Sequence, residues 1–545
     1  MSRPNPAIFF AFLVAMIALF GAVTLAKGGF YIAKHEGDTL HLLQIVFRMA
    51  SGEWPHLDFM TPIGLMAFAP IVVFLNLGLG VGTAILLSQV LMAFVLLPAV
   101  FWTGMSRLPA RAAYVFGFTV LVLALALVHG EAERSVSISM HYNRWAWAVA
   151  YVVLVLAMLP AREISNSTID GVIIGVGMAF LALCKVTYFA AFAVPVLVGL
   201  GLNGGLRALR VALLAGLAVA IAISVFATLD YWFAYVSDLQ TVSGSEIRPQ
   251  PGFQWQTILT APAYLGGVLT LVAGIIFLRQ AGEETLGLLL LLTAPGFIYV
   301  TYQNFGNDPQ WLMLLAVLLL VPDPRPELRG LFSWPLAQAL TITACIALAF
   351  ASPSLLNLAF SPFRHLSLTA ADYQPMLTRT PRHHDLLVRS VRANRVDGSV
   401  ALDVPGSGLE DRVSKADRAE ERADFQGSGL PGCELRMGLI AWFEAIVADL
   451  ETAGYGDNAR VFVSDLFMGH WMFSDLQRLA GGAPWYYGGL PGIDSADYLL
   501  VPLCPTSQSV RKQILAEIEE RGIVATELRR APLYILYDLE TPATP

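Results

Sequence analysis

The chain has 545 residues, 56% of them hydrophobic and only 14% charged, and its mean hydropathy is +0.62. An average soluble domain carries roughly 25% charged residues, so a soluble globular enzyme is excluded as a description of the whole. The formal charge of −7 comes with no basic tract, which argues against a nucleic-acid partner.

Up to about Ala351 the sequence is a series of apolar runs separated by short polar breaks. Their length matches the ~20 residues a helix needs to cross ~30 Å of hydrocarbon. After Arg364 the charge density rises and no run is long enough to span. The first run, Ala7 to Ala26, reads as a retained anchor helix, being long for the apolar stretch of a cleavable signal. Later runs fall at 62–79, 82–103, 110–129, 144–160, 169–184, 188–204, 207–229, 257–278, 284–301, 309–321 and 331–352. Short arginine-bearing loops at 104–111, 161–168, 204–210, 279–283 and 322–330 belong with Arg3 on the cytoplasmic side by the positive-inside rule. They share that side only if 62–79 does not cross. Its Thr61-Pro62 start, Pro70 and Asn76-Leu77-Gly78 end suit an interfacial or re-entrant helix. The expected fold is an α-helical polytopic protein of a bacterial inner membrane, with about eleven transmembrane helices plus interfacial ones. Residues 1–352 form the membrane domain, 353–430 a linker and charged segment, and 431–545 a periplasmic α/β domain.

The segments left outside hold most of the acids, histidines and aromatics. In the first, Glu36 and Asp38 follow the anchor helix, and residues Thr39 to Ala50 alternate apolar positions with His41, Gln44 and Arg48. That pattern suits an amphipathic helix at the interface. Two carboxylates held at a water–lipid boundary can serve as a general base or stand as solvated loop acids. The order His35-Glu36-Gly37-Asp38, then Ser51-Gly52-Glu53-Trp54-Pro55-His56-Leu57-Asp58-Phe59, then Pro62-Ile63-Gly64 resembles the start of GT-C fold membrane glycosyltransferases. Protein O-mannosyltransferases and the aminoarabinose transferases of lipid A belong to that superfamily. The resemblance covers about the first 80 residues by motif and the remainder by helix count and loop placement. Where the family often has adjacent Asp and Glu, this chain has His35-Glu36; Glu36 is the aligned acid and Asp38 a nearby replacement. The resemblance implies transfer of a sugar from a polyprenyl-phosphate-linked donor to a glycan, lipid or protein acceptor outside the cytoplasm. One acid would act as base, and Asp58 would belong to the substrate turn.

A phosphate donor calls for cations at the outward mouth. Lys185, between two apolar runs, fits a phosphate contact or a snorkelling lysine. His141-Tyr142-Asn143-Arg144 opens the next run with four hydrogen-bonding side chains, suited to substrate or to interfacial anchoring. Arg248 closes over the donor or is an ordinary loop arginine. Tyr302, Gln303 and Asn304 are placed to orient a sugar, while Asp308 before Pro309 reads as a helix cap. No HExxH, CxxC or DxD occurs, so no cofactor or metal site is assigned and divalent-metal dependence stays open; His383-His384-Asp385 reads as solvated surface.

In the tail, Leu439, Phe443, Ile446, Val447 and Leu450 mark one helix and Ser509 to Arg521 a second. Strands are expected at 459–463, 498–501 and 533–537. Trp485-Tyr486-Tyr487 stacks on a sugar or fills the core. Cys433 and Cys504 pair if the tail faces an oxidising compartment. Besides a sugar transferase, a polysaccharide polymerase or ligase using the same donor remains open, as does a transporter of lipid-linked saccharide. Transporters commonly show repeated halves, and no internal repeat is evident here.

Overall fold

The computed structural model describes residues 2–130, 133–245, 247, 256, 260–303, 308–402, 408–409 and 423–540. Arg248 and Asn304 lie outside them.

The apolar runs become helices with local reasons for their ends. Helix α1 (Pro6–Leu25) is capped by Asn5, whose side chain accepts from Ala7 N and Ile8 N, with Pro6 at the first helical position. A short strand β1 (Phe30–Ile32) precedes α2 (Glu36–Ala50), and α3 (Ala69–Asn76) follows. Eight residues of α3 rise about 12 Å, less than half of the ~30 Å hydrocarbon thickness. Then come α4 (Val81–Arg107), α5 (Ala110–Leu125), α6 (His141–Met158), α7 (Ser167–Cys184), α8 (Val186–Leu202), α9 (Leu206–Ala227) and α10 (Asp230–Ser243). The series closes with α11 (Pro262–Gln280), α12 (Glu284–Gln303), α13 (Trp311–Leu319) and α14 (Leu336–Ser367). Among the described residues seven helices are long and apolar enough to cross a membrane, and α5 and α8 are shorter apolar helices. All 18 residues of α6 are buried; it is the axis of the bundle, packed against α4, α5, α7 and α8.

The arginine-bearing loops gather at one end. Arg3 pairs with Glu163 at 3.3 Å, Ala110 N donates to Ser2 O, and Arg162 N to Ser106 O. Asn203 donates to the carbonyls of Ala157 and Met158, and Leu331 N to Gln280. These contacts join the segments that the positive-inside rule groups together.

The boundary drawn at 352 falls inside α14, which continues to Ser367. Composition changes there while the helix does not: Pro353 and Pro362 lie within it and its polar end stands clear of the apolar stretch. Residues 353–430 are likewise more than a linker. Strands β2 (Tyr373–Pro375) and β3 (Leu386–Arg389) form a sheet with β1 in the order β1-β3-β2, the β1–β3 pair being parallel. Between them, Asp385 accepts from Gly82 N and Thr83 N and so caps α4, while Val81 N donates to His383. The expected solvated surface is thus a helix cap. Helix α15 (Ser390–Asn394) and β4 (Asp397–Val400) follow.

Beyond a small hairpin of β5 (Asp424–Phe425) and β6 (Ser428–Gly429), strand β7 (Cys433–Met437) pairs with β4. Helices α16 (Leu439–Thr452) and α17 (Gln508–Glu520) accompany a sheet of β8 (Val461–Val463), β9 (Tyr498–Pro502), β10 (Val524–Arg530) and β11 (Tyr534–Glu540). Its order is β10-β11-β9-β8, with only β8–β9 parallel. Cys433 and Cys504 are joined, Cα to Cα 4.7 Å. The α/β unit shares one apolar core with the loop that follows α1. Leu43 and Ile45 of α2 and Ile71 of α3 belong to the same buried cluster as Phe443, Tyr486 and Leu500.

Candidate functional site between the first loop and the α/β domain

Helix α2 starts from a left-handed residue, His35 at φ 67°. A side chain beyond glycine adopts that region only under tertiary constraint. It turns the first helical turn, with Glu36, Gly37 and Asp38, toward the α/β domain. Gly37 is required there, because an added Cβ would lie 2.6 Å from the Phe467 ring.

The two acids have different neighbours. Glu36 is 6% exposed and both of its oxygens engage Arg392: Nη2 reaches Oε2 at 2.9 Å and Nε contacts Oε1. That pair raises the Arg392 pKa above its ordinary value, first through the hydrogen bond the guanidinium donates to Glu36. Asp38 accepts from the Ser139 hydroxyl through Oδ2. Its other oxygen has no protein hydrogen-bond partner among the described residues. Ser139 ends the stretch Ser135-Val136-Ser137-Ile138-Ser139, in which Val136, Ser137, Ile138 and Ser139 are all buried. Ser139 N donates to Ser137 Oγ at 3.0 Å, and Ser137 Oγ lies 3.1 Å from His35 Nδ1. In the same loop Glu133 pairs with Lys34 at 3.0 Å; that bond, with those from Ser135, holds its carboxyl down to about 2.

Asp38 lines two spaces. One, of about 270 Å³, lies under the α/β domain with Lys34, Arg392, Arg436, Phe467 and Thr506 in its wall. The other is a chamber of about 20 Å³ shared with His41, Ile63, Phe68, His141 and Tyr142. Ile63 and Tyr142 also line a third cavity of about 450 Å³, together with Lys185, Thr187, Tyr299, Tyr302 and Tyr487. Lys185 occupies an extended break (φ −150°, ψ 100°) between α7 and α8, its ammonium 5.1 Å from the Tyr142 ring centre. Gly64, next to Ile63, lies against α7: an added Cβ would sit 2.1 Å from Leu183 O.

Of the residues singled out by sequence, the structure therefore brings together Asp38, His141, Lys185 and Tyr302, and Glu36, ion-paired with Arg392, lines the same space under the α/β domain as Asp38. Three lie elsewhere. Arg144 is 1% exposed, donates to Leu123 O at 3.1 Å and lines none of these cavities. Three residues along α6 from His141 it is about 4.5 Å deeper, inside the bundle rather than at its mouth. Asn143 is buried about 200° round the helix from His141 and lines none of them either. Asp58 closes a turn, accepting from Trp54 N at 2.6 Å, and its carbonyl accepts from Gly481 N. The aromatic triplet divides: Tyr486 is core, Trp485 packs edge-on to Phe467, and Tyr487 reaches the large cavity.

Sequence reasoning missed Arg392, Phe467, Ser139 and the pair His56–Asp238. Asp238 accepts from His56 Nδ1 at 2.8 Å and Thr61 N at 3.1 Å, and Tyr235 stacks on His56 at 4.3 Å. Tyr231, Tyr235 and Asp238 recur at helical spacing, and an acid on the buried stripe of α10 was the available signal. Among the described residues no group of three or more histidines, cysteines or acids is arranged to hold a metal ion.

Fold and site together define a multi-pass membrane protein whose first loop and α/β domain line a set of adjoining cavities. No protein-family model matches the chain, and no curated protein does. Among solved structures it is similar to the archaeal oligosaccharyltransferase AglB from Archaeoglobus fulgidus, determined with an inhibitory peptide and a dolichol-phosphate. The likeness covers 91% of this chain and 69% of that one at 11% identity and a TM-score of 0.42, too slight to assign the fold.

Proposed function

We propose that the chain is an inverting membrane glycosyltransferase. It would move a hexose or pentose from a polyprenyl-phosphate-linked donor to an envelope acceptor on the periplasmic face of a bacterial inner membrane. In this reading about eleven helices cross, the α/β domain is periplasmic, and the Cys433–Cys504 bond suits that oxidising side. The observation that carries the reading is the position of Asp38, which lines both the space under the α/β domain and the chamber adjoining the Lys185 cavity.

Asp38 is the base. Its carboxylate takes the proton of an acceptor hydroxyl entering under the α/β domain. The hydroxyl oxygen bonds to the anomeric carbon as the bond from that carbon to the phosphate oxygen breaks. Polyprenyl phosphate leaves with the electron pair, and Lys185 meets its charge. Glu36, held by Arg392, positions α2 rather than touching substrate.

The test uses purified full-length protein in proteoliposomes with a labelled polyprenyl-phosphate sugar and an envelope extract as acceptor. Label transferred to the acceptor supports the reading, and the same assay with a chelator reads metal dependence. Movement of label across the bilayer without transfer would replace it with a transporter.

A further inference from the structure

We infer that the chamber between Asp38 and His141 receives a single hydroxyl of the donor sugar, and that His141 Nδ1 accepts its hydrogen bond. This rests on the glycosyl-transfer reading and specifies the substrate chemistry of that site.

Size is the first argument. A space of about 20 Å³ exceeds the roughly 10–15 Å³ that one water-sized group occupies and is far too small for a ring. Its polar side chains are Asp38, His41, His141 and Tyr142, and Leu42, Ile63, Phe68, Ile138 and Met140 close the remainder. A hydroxyl therefore fits it, and a charged phosphate oxygen facing Asp38 does not.

The second argument is the state of the His141 ring. It is fully buried. Its Nε2 lies 2.7 Å from the Ala67 carbonyl oxygen, and a carbonyl only accepts, so Nε2 carries the hydrogen. No carboxylate among the described residues lies at hydrogen-bond distance, and a buried ring without one is neutral. Nδ1 is then a lone pair, with no hydrogen-bond partner among the described residues. Buried acceptors are ordinarily satisfied, and a substrate hydroxyl in the chamber would satisfy this one. Trp145 edge-on at 4.7 Å, Tyr142 at 5.6 Å and Phe68 at 6.3 Å fix the ring in its plane. The helix beneath it begins at a left-handed residue, Met140 at φ 52°, as α2 does at His35.

The third argument assigns the hydroxyl to the donor. Ile63 and Tyr142 are common to the chamber and to the cavity that contains Lys185. A sugar whose phosphate faces Lys185 can extend one hydroxyl past them. His141 is then a specificity residue for the donor, distinct from the base.

The experiment pairs His141→Gln with the set of monodeoxy analogues of the polyprenyl-phosphate sugar that wild type transfers. Glutamine Nε2 can keep the bond to Ala67 while the Nδ1 acceptor is lost. The expected result is a fall in kcat/KM of about 10- to 100-fold for the full sugar. One deoxy donor should show a similar loss with wild type and no further loss with the variant. His141→Asn, whose Oδ1 stands near the place of Nδ1, should recover part of the rate. Wild-type kcat/KM in His141→Gln, or independent losses for every deoxy donor, would overturn the pocket. Should the variant fail to fold, the deoxy series on wild type still decides: a penalty at no single position overturns it. Absence of transfer by wild type itself would instead overturn the glycosyltransferase reading.

Discussion

The space under the α/β domain, which Asp38 lines, and the Lys185 cavity, which adjoins the small Asp38 chamber at Ile63 and Tyr142, are built from different material. Above, under the α/β domain, the cations come already paired: Lys34 with Glu133, Arg392 with Glu36, Arg436 with Glu434. Below, the ionisable lining is Lys185 with Tyr142, Tyr299, Tyr302 and Tyr487. Internal pairing above gives a polar surface close to charge balance, suited to a neutral hydroxyl-bearing acceptor. A lysine among tyrosines below suits an anion attached to a lipid. On the proposed reaction, the difference assigns the acceptor to the upper space and the donor to the lower, with Asp38 between them.

The variant with the largest expected effect is Asp38→Asn, which should lower the transfer rate by about 10²–10⁴-fold with the fold intact, as judged by thermal midpoint. A fully active Asp38→Asn would break the comparison, because the junction would then carry no chemistry. Next, Lys185→Met should raise the donor KM by about 10- to 100-fold, the loss of one charge-assisted contact, and leave the acceptor KM unchanged. A rise in acceptor KM instead would exchange the two spaces.

Much of this was legible in the sequence. Apolar runs of spanning length gave the helices, and the run at 62–79, set apart in the sequence by its prolines and by the arginine loops, holds the eight-residue α3. What was not legible depends on distant partners. Nothing near Glu36 announces that both its oxygens are taken, since Arg392 is 356 residues away. The cap of α4 is likewise supplied by Asp385, 302 residues from Thr83. Arg144 looked like a mouth residue because it opens an apolar run, yet the helix already begins at His141. One turn of helix is enough to carry a cation from the cavity into the bundle.

Smaller effects concern the supports of each space. Asp385→Ala removes the carboxylate that caps α4 and should cost about 1 kcal/mol, read as a lowered thermal midpoint. An unchanged midpoint would show that the 373–389 segment does not brace the bundle. Asp465, buried behind Thr506, has its carboxyl pushed up to about 6 by burial, against the hydrogen bonds from Thr506, Leu466 and Ser507. The native state then holds a proton that the unfolded state has lost between about pH 4 and 6. Wild-type stability should therefore fall as pH rises through that window. Asp465→Asn should flatten the slope, which a thermal midpoint measured against pH would show.

The most direct measurement sets Asp38→Asn against Glu36→Gln in one proteoliposome transfer assay at matched, folded protein. The account predicts that Asp38→Asn loses at least about a hundredfold in rate while Glu36→Gln, which keeps a hydrogen bond to Arg392, stays within about tenfold of wild type. The reverse order, with Glu36→Gln inactive and Asp38→Asn near wild type, would contradict it.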